Sequence, residues 1–441
     1  MEITEFREFN PCLFATVHDT LSTSSAKPNK LSGDALDILH ALHPVDLLRP
    51  DKHAELDDEL NLLRAAAKLQ RFFVIRPPEA PRLFFCGGEF LNDPTNISVG
   101  GIGLSFADAF RRCIGEAVEY LSQVENLVEE SIAVHRIPLQ NCPKSWPASW
   151  LRCAIHKNLP FIDCVQARDL DDGSDYYLPA DLCMRRSKKQ LIISYKLSSG
   201  CAVGRTFDDA LCKGISEVIE HDAVALWWYG GNPARQFSQD WLQKLGILEL
   251  LKHCRGSYKG RHTVFLDVST DLKIPSVVAY SFDASGSNFV CGMAAHPNVQ
   301  KALEAAFLEL CQMELGLSMV HLKIKQRGMD ALNEGNRQQL LRASRMHPNC
   351  FALAAGKTAA PPYANRLLPK SNLDVLKDCI NHTSLKAYFI DITKQSLKVP
   401  AVKVLLPELQ AAVARVLTNR LQSAINTYSG GWGLINQVDL Y

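Results

Sequence analysis

The chain has 441 residues and a formal net charge of +1; 47% of its residues are hydrophobic and 22% are charged. This length and composition allow a sizeable core and two or three domains, which excludes an intrinsically disordered protein. The balance of 48 basic against 47 acidic residues provides neither the basic excess of a nucleic-acid-binding protein nor an acidic solvating tail.

The first 90 residues predict a small mixed region, which we expect to precede the main domain and to offer a surface to a partner. A polar turn is predicted over 22–30, and leucines between residues 36 and 69 recur at helical spacing. Short apolar runs at 72–75 and 83–85 flank a proline-rich break and predict strands.

From about residue 95 onward, apolar strands alternate with long helical patterns, which predicts an α/β (α+β) domain over 91–441. The predicted strands are 191–195, 264–268, 276–280 and 388–391. The predicted helices are 105–126, 206–229, 297–321 and 408–426. Residues 327–370 are rich in Gly, Asn, Pro and basic residues and predict an irregular insertion.

The cysteines indicate the cellular compartment. All 14 are scattered along the chain, and no Cys-x-x-Cys pair occurs. This spacing favours buried free thiols in a reducing compartment over a disulfide framework or a zinc site. The first residues, MEITEFRE, lack the apolar run of a secretory signal, and no stretch reaches the roughly 20 apolar residues of a bilayer span. We therefore expect a cytoplasmic protein without membrane or nucleic-acid partners.

One helix sequence occurs twice. GLSFADAFRRCIGEAVEY at 103–120 and GRTFDDALCKGISEVIEH at 204–221 share seven of 18 ungapped positions at an offset of 101. In both copies a glycine permits a tight turn, a Ser or Thr predicts the N-cap, and the Asp three residues later completes a capping box. Residues 297–312 resemble a third, weaker copy, in which Glu309 and Gln312 occupy the two glutamate positions.

Each full copy carries glutamates at i and i+3, which point the same way from a helix: Glu116 with Glu119, and Glu217 with Glu220. Paired carboxylates on converging helices can bind Mg²⁺, which prefers oxygen ligands and bridges them to phosphates. The alternative is a solvated helix face, because glutamates at this spacing are common on exposed helices. The matched register and the apolar residues around Glu217 favour the metal site, since a buried carboxylate is costly without a partner.

Several ordered segments resemble YcaO-domain proteins, which modify ribosomal peptides. These segments are 198–204 followed by Glu217, Glu220 and Asp222, the run 221–229, residues 292–296 leading to Glu309 and Gln312, and the stretches 391–393, 399–407 and 419–421. The run 221–229 is especially similar to the azoline-forming branch of thiazole/oxazole-modified microcin pathways. The resemblance covers about 95–441 and implies a YcaO-type domain with repeated strand–helix units.

The resemblance implies an enzyme that uses ATP and Mg²⁺ to phosphorylate a backbone amide oxygen. In the azoline-forming branch, a Cys, Ser or Thr side chain of a precursor peptide attacks the preceding carbonyl, and the oxygen leaves as phosphate to give a thiazoline or oxazoline. The implied metal ligands are Glu116, Glu119, Glu217 and Glu220. The implied nucleotide contacts are Glu217, Glu220, Ser198, Ser199, Glu309 and Gln312.

The chain departs from the family pattern at positions that would meet phosphates. Tyr120 and His221 stand where the family usually ends its double-glutamate motif with Arg, and the usual Gly-Lys-Gly is Gly-Ile-Gly at 101–103. Arg112 and Arg205 stand where Ser and Asn are usual. Our hypothesis is that these two arginines contact the nucleotide instead.

Two further residues are candidates for a catalytic role. His221 is either a base or phosphate contact beside Glu220, or a histidine whose role is to support the helix. The C-terminal carboxylate of Tyr441 reaches the active site by analogy with azoline-forming relatives, although this chain lacks their proline-alternating tail. Trp227, Trp228 and Tyr229 are interpreted as core residues rather than as a stacking platform.

The leading hypothesis is an ATP-dependent peptide cyclodehydratase that acts as a subunit of a synthetase complex. Its partners would be a ribosomal precursor peptide and a leader-binding protein, since the first 90 residues show no evident peptide-binding winged helix, and the assembly would be a homodimer or hetero-oligomer. One alternative is a YcaO enzyme that forms a thioamide or an amidine. The other is a catalytically degenerate YcaO that acts as a scaffold or substrate-binding subunit.

Overall fold

A computed structural model provides the fold. It describes residues 6–22, 53–90, 97–125, 132–144, 146–147, 158–187, 189–191, 197–350, 356–358, 370–412, 417–436 and 438–440, with single positions at 34, 38, 42, 155 and 353. Ser22, the first residue of the predicted turn at 22–30, ends a helix, and the rest of that turn lies outside the described residues, as do all but the first residue of the predicted strand at 191–195.

The strands are β1 (Phe6–Phe9), β2 (Arg71–Ile75), β3 (Phe84–Phe90), β4 (Ile97–Gly103), β5 (Val134–Pro138), β6 (Phe161–Asp169), β7 (Asp175–Pro179), β8 (Cys201–Val203), β9 (Arg235–Phe237), β10 (Arg261–Asp267), β11 (Ser276–Asp283), β12 (Val290–Ala295), β13 (Gly356–Thr358), β14 (Tyr388–Asp391) and β15 (Ala401–Leu405). The helices are α1 (Cys12–Ser22), α2 (His53–Ala66), α3 (Phe106–Gln123), α4 (Ala180–Cys183), α5 (Phe207–Trp228), α6 (Gln239–Lys244), α7 (Ile247–Arg255), α8 (Val299–Arg327), α9 (Glu334–Arg345), α10 (Asn372–His382), α11 (Asn419–Tyr428) and α12 (Trp432–Asn436). This mixed composition confirms the α/β (α+β) class. None of the helices described here combines the length and apolar character that a bilayer crossing requires.

The strands form three sheets, and each sheet has one edge strand that leads directly into a long helix. The orders are β1-β2-β3-β4, β12-β11-β10-β9-β13 and β5-β6-β14-β15-β8, with β7 beside β6. The edge strands β4, β8 and β12 precede α3, α5 and α8, respectively. These three strand–helix units are the physical form of the repeat in the sequence.

The three helices cover the exposed edges in a cycle. Helix α3 packs on β4 of its own unit and on β8 of the second unit, α5 packs on β8 and on β12, and α8 packs on β12 and on β4. An uncovered edge strand presents unpaired backbone groups, so this arrangement protects all three sheets at one place. The same cycle brings the three repeated helices, with their glutamates, around a common centre.

The N-terminal region is joined to the first unit by hydrogen bonds. Strand β3 pairs with β4 from Phe84↔Gly103 to Phe90↔Ile97, so the expected boundary at residue 90 falls between neighbouring strands of one sheet. Phe14, Phe72 and Phe110 are fully buried and link α1, β2 and α3, with ring centroids 5.0 Å apart for Phe14–Phe72 and 5.9 Å for Phe72–Phe110. The region therefore shares its core with α3.

Two predicted elements differ from the structure. The helix predicted over 408–426 begins only at Asn419, because the Gln410 backbone N–H donates to Asp222 Oδ1 and Thr418 serves as the N-cap. The irregular insertion predicted at 327–370 contains α9, for which the Asn333 side chain supplies the N-cap. In both places tertiary or capping hydrogen bonds outweigh the local composition.

Gly292 on β12 is expected to tolerate no side chain. A Cβ at this position would lie 2.1 Å from Leu310 N and 2.5 Å from Ala306 O in α8. Gly292→Ala must therefore separate the strand from the helix, and we expect a loss of about 3 kcal/mol in the free energy of unfolding, measured by urea denaturation. The matched control is Gly335→Ala in α9, where only Asn333 Oδ1 comes within 4 Å of the new Cβ. It should gain up to ~1 kcal/mol from helix propensity, and equal losses in both variants would contradict the close-approach argument.

Candidate functional site

The three helices of the repeated units begin in the same way. Ser105, Thr206 and Asn298 are the N-caps of α3, α5 and α8, and each side chain accepts a hydrogen bond from the backbone N–H three residues later. The first helical residues are Phe106, Phe207 and Val299. The third copy is thus a true structural repeat, although the sequence alone shows it weakly.

The first member of each repeated pair, Glu116, Glu217 or Glu309, accepts a hydrogen bond from a backbone N–H in or next to the strand that precedes its helix. Glu116 Oε2 accepts from the N–H of Gly100 at 2.7 Å, and Glu217 Oε2 accepts from the N–H of Gly200 at 3.2 Å. In the third unit Glu309 Oε2 accepts from the N–H of Met293 at 2.6 Å. A backbone N–H donor restrains the orientation of each carboxylate, and an ionised carboxylate can accept more than one hydrogen bond or bind a metal as well.

The second polar residue of each helix lies toward the next unit. Glu119 Oε1 accepts from the N–H of Val203 in β8 at 3.3 Å. Gln312 lies against β4, since a Cβ added to Gly100 would be 3.6 Å from Gln312 Nε2. Glu220 is half-buried one turn after Glu217. The structure therefore brings Glu116, Glu119 and Glu217 close enough for their charges to interact, and Gln312 lies beside Gly100, whose N–H binds Glu116.

Burial and mutual repulsion raise the pKa of the central carboxyl group. Burial raises the pKa of Glu119 well above its ordinary value, and the neighbouring charges of Glu217 and Glu116 raise it further. Glu116 remains accessible to solvent in an open cavity, but the protein around it still raises its pKa. Like charges gathered in such a place are stabilised by a cation.

The donor set fits Mg²⁺ that is shared with a phosphate ligand. Within the described residues, no three His, Cys, Asp or Glu side chains stand close enough together to hold an ion on their own. Mg²⁺ commonly takes one or two carboxylates and completes its shell with water and substrate phosphates, so a dedicated protein cage is not required. Glu116, Glu119, Glu217 and Glu220 are the residues that would hold it.

A cavity of about 380 Å³ lies beside these carboxylates. Its lining includes Glu116, Glu119, Arg112 and Arg205, together with segments of α2 and the chain at 398–400. Burial lowers the pKa of Arg112. Within the part of the chain that the structure describes, neither the Arg112 nor the Arg205 guanidinium forms an ion pair. Both predicted arginines thus line the same cavity as Glu116 and Glu119.

The cavity also contains cations that the sequence did not single out. Lys213 donates from Nζ to the carbonyl of Val203 at 3.1 Å and to Asp209 Oδ2 at 3.0 Å, and it lines the same wall. Lys213 is the counterpart of Arg112 at the repeat offset of 101, which is the signal that could have identified it. Lys398 comes from a distant segment, so no local pattern marks it.

A second polar cluster lies behind Glu217. Ser199 Oγ and His221 Nδ1 share a hydrogen bond of 2.6 Å, and His221 Nε2 lies 3.8 Å from Glu217 Oε1. The His221 side chain is only 7% exposed and lines a small cavity of about 50 Å³ with Ser199. Ser198 is exposed, and its carbonyl closes the turn by accepting from the N–H of Cys201. His221 therefore lies between Ser199 and Glu217, while Ser199 and Ser198 occupy different environments.

Comparison with known families identifies the family of this chain. The family model described as YcaO cyclodehydratase, ATP- and Mg²⁺-binding, matches residues 100–410, which is more than half of the chain. The chain belongs to the YcaO family. A comparison with curated proteins gives no match.

Solved YcaO structures share the fold at low sequence identity. A heterocyclase in complex with substrate and cofactor is 19% identical with a TM-score of 0.60, over 77% of this chain and 49% of that one. The YcaO protein from Methanopyrus kandleri bound with AMPPCP and Mg²⁺ is 17% identical with a TM-score of 0.56, over 82% and 91%. A chain of the Escherichia coli microcin synthetase complex McbBCD is 14% identical with a TM-score of 0.54, over 74% of this chain and 85% of that one. The chain spans about half the length of the first heterocyclase.

Two cations from other segments lie near the YcaO positions where this chain lacks Arg. The Arg185 guanidinium lies over the ring of Tyr120, 5.0 Å from its centroid. Lys403 on β15 is 2% exposed and donates to the carbonyls of Leu197 and Ser199, next to His221. Both cations arise far from the helices in sequence, so reading the helix motif alone could not find them.

The C-terminal segment of this YcaO chain docks at the far end of α5. Trp228 Nε1 donates to the carbonyl of Val438 at 2.6 Å, and the Tyr229 hydroxyl donates to Asp439 Oδ1 at 2.6 Å. Trp227, Trp228 and Tyr229 are buried, which confirms their interpretation as core residues. Tyr441 lies outside the described residues. Trp228 lies about 12 Å from Glu220 along the axis of α5, so the C-terminal segment contacts this helix roughly two turns beyond its second glutamate.

Proposed function

We propose that this chain uses Mg·ATP to activate backbone amides of a ribosomal precursor peptide and cyclodehydrates Cys, Ser or Thr to thiazoline or oxazoline. The observation that carries the proposal is the set of glutamates on three matched helices, each held by a backbone N–H: Glu116 by Gly100, Glu217 by Gly200 and Glu309 by Met293. Glu116 and Glu119 line a cavity whose wall also includes Arg112 and Arg205. The combination suits a magnesium–phosphate ligand.

The residues of the chain would divide the work between metal and phosphates. Glu116, Glu119, Glu217 and Glu220 would hold Mg²⁺, which supplies charge neutralisation of the triphosphate when bound. Arg112 and Arg205 would contact phosphate oxygens from the cavity wall, and Glu309 with Gln312 would complete the third side. Ser199 and His221 would keep Glu217 oriented, because His221 lies between Ser199 Oγ and the Glu217 carboxylate.

The peptide reaction follows from amide activation. The thiol or hydroxyl of a Cys, Ser or Thr residue adds to the preceding carbonyl carbon, and the amide oxygen takes the terminal phosphoryl group. Loss of that oxygen as phosphate leaves the C=N bond of the ring, and the net change is one water removed per ring. We further propose a cytoplasmic synthetase complex in which a partner protein binds the leader peptide.

A degenerate YcaO scaffold is the second candidate, favoured by Tyr120 and His221 at the usual arginine positions. The cations Arg185 and Lys403 beside those positions support an active site instead. Thioamide or amidine formation uses the same amide activation, and product mass distinguishes it because thioamidation replaces oxygen by sulfur rather than removing water.

The test begins with calorimetric titration of Mg·ATP into the full chain and into Glu217→Gln. We expect wild type to bind Mg·ATP and Glu217→Gln to bind it at least about tenfold more weakly, since the variant replaces a charged ligand by a neutral amide. With precursor peptide and partner added, wild type should release phosphate and the peptide should lose one water per ring, detected by mass spectrometry. A Glu217→Gln variant that keeps product formation would contradict the proposal and favour the scaffold.

A further inference from the structure

Lys398 has a backbone conformation that is unusual for its side chain. Its φ is 57°, in the left-handed region that costs a non-glycine residue free energy. Lysine lacks the short polar side chain that helps Asn or Asp adopt this conformation. Residues held in such conformations persist when the surrounding structure fixes them, and they cluster at functional sites.

Hydrogen bonds from two directions fix Lys398 in place. Its N–H donates to the carbonyl of Lys394 at 2.8 Å, which closes a tight turn. Its carbonyl accepts from Asn61 Nδ2 of α2 at 3.2 Å, and Asn61 Oδ1 in turn accepts from Arg64 at 3.0 Å. The Lys394 ammonium is buried and donates to the carbonyl of Val124 at 3.2 Å. The turn is therefore held by hydrogen bonds to α2 and to the C-terminal end of α3.

Lys398 lines the same cavity as Glu116, Glu119, Arg112 and Arg205. It is exposed, and in the part of the chain described here its ammonium has no hydrogen bond or ion pair. The strained turn thus places this lysine beside the carboxylates and arginines that line the cavity.

We propose that Lys398 is a phosphate contact of this cavity and that α2, through Asn61, positions it. The inference rests on the proposed function, because the anion is taken to be the phosphate chain of Mg·ATP. Residues 53–66 of α2 lie outside the stretch 100–410 that matches the YcaO family model. The N-terminal region would then contribute to the ligand site and not only to a partner surface.

The chain supplies a matched control for the test. Lys273 has φ 56°, is exposed and does not line the cavity. Lys398→Gly and Lys273→Gly each remove one positive charge and one left-handed non-glycine residue, so their thermal midpoints should change alike. Only Lys398→Gly should weaken Mg·ATP binding in calorimetry, by about tenfold, as expected for loss of a charge-assisted hydrogen bond. It should also reduce the dependence of Kd on NaCl concentration, which a purely structural role would not change.

Further variants separate contact from positioning. Lys398→Arg should restore most of the affinity, and Lys398→Asn, which tolerates the left-handed region, replaces the glycine variant if that fails to fold. Asn61→Ala should weaken binding in the wild-type background but have no additional effect with Lys398→Gly, because the two act through one contact. Wild-type binding with unchanged affinity in Lys398→Gly would overturn this inference alone. Absence of Mg·ATP binding by wild type would overturn the proposed function and the inference with it.

Discussion

Replacing Glu119 by glutamine is expected to abolish Mg·ATP binding while making the ligand-free protein more stable at neutral pH. The binding loss should reach at least about 100-fold, because even residues that only support metal ligands contribute 10–100-fold. The gain in stability follows from the environment of Glu119, where burial and the charges of Glu217 and Glu116 raise its pKa. A neutral amide of the same shape avoids both costs.

The pH dependence gives the sign of this effect. The folded protein raises the pKa of Glu119 above its ordinary 4.5. The protonated carboxyl group therefore makes its full contribution to the free energy of unfolding below pH 4.5, and this contribution is lost as the pH rises through the pKa of the folded state. Wild type should therefore fall further below Glu119→Gln in unfolding free energy as the pH rises from about 4.5 toward 8. Mg²⁺ needs the ionised carboxylate, so its affinity should increase over the same interval with release of protons.

Urea denaturation and calorimetry across this pH range measure both effects, with Glu249→Gln as the control. Glu249 lies exposed on α7, and its replacement should change neither stability nor binding noticeably. A Glu119→Gln protein that is less stable than wild type at pH 8, or that binds Mg·ATP normally, would contradict the assignment of this carboxylate to the cation site.

The second large effect is expected from Arg420→Met, which should lower the free energy of unfolding by about 3 kcal/mol or more at neutral pH. Asp222 on α5 has no exposed side-chain surface, and Arg420 donates to it from Nε and, at 2.9 Å, from Nη2. The same guanidinium binds Asp271 through Nη1 at 3.0 Å and Nη2 at 2.7 Å. Among the residues that the structure describes, removing it leaves this buried carboxylate with the N–H of Gln410 as its remaining donor.

The attribution of this loss of stability to an unpaired Asp222 carboxylate can be tested by changing the protonation of Asp222. Burial already raises its pKa, and Arg420 counteracts that rise; without the arginine the pKa should rise further. The deficit of Arg420→Met in urea denaturation should therefore shrink at pH 5, and the double variant Asp222→Asn/Arg420→Met should recover part of it. Arg337→Met on exposed α9 should cost less than about 0.5 kcal/mol. An equal deficit at both pH values would show that lost packing, not the unpaired charge, causes the effect.

The helices of the site were predictable because their signals are local. Caps at Ser105 and Thr206, the glutamate spacing and the apolar faces all lie within one stretch of sequence, and the structure reproduces them. The strands β4 and β8 are glycine-rich or very short, so β-propensity could not reveal them. Their positions depend on helices that cover them from another unit.

The cations of the site were only partly predictable. Arg112 and Arg205 stand within the repeated motif and are predicted from its departures from the YcaO family pattern, whereas Arg185, Lys398 and Lys403 come from other parts of the chain. Their relevance depends on sheet pairing, such as β15 beside β8, which brings Lys403 to the Ser199 loop. Long-range pairing of this kind leaves no mark in a local pattern.

The cyclic covering of three edge strands has a consequence for synthesis of the chain. Strand β4 and helix α3 leave the ribosome long before β12 and α8, which close the cycle. Gln312 follows Glu119 by 193 positions, which take roughly 10–40 s to translate at about 5–20 residues per second. During that time the edge of the first sheet has no partner helix from the third unit, and the glutamates of α3 remain in water. Closure of the cycle is therefore a late folding event, and the ligand site is completed only when most of the protein has been made.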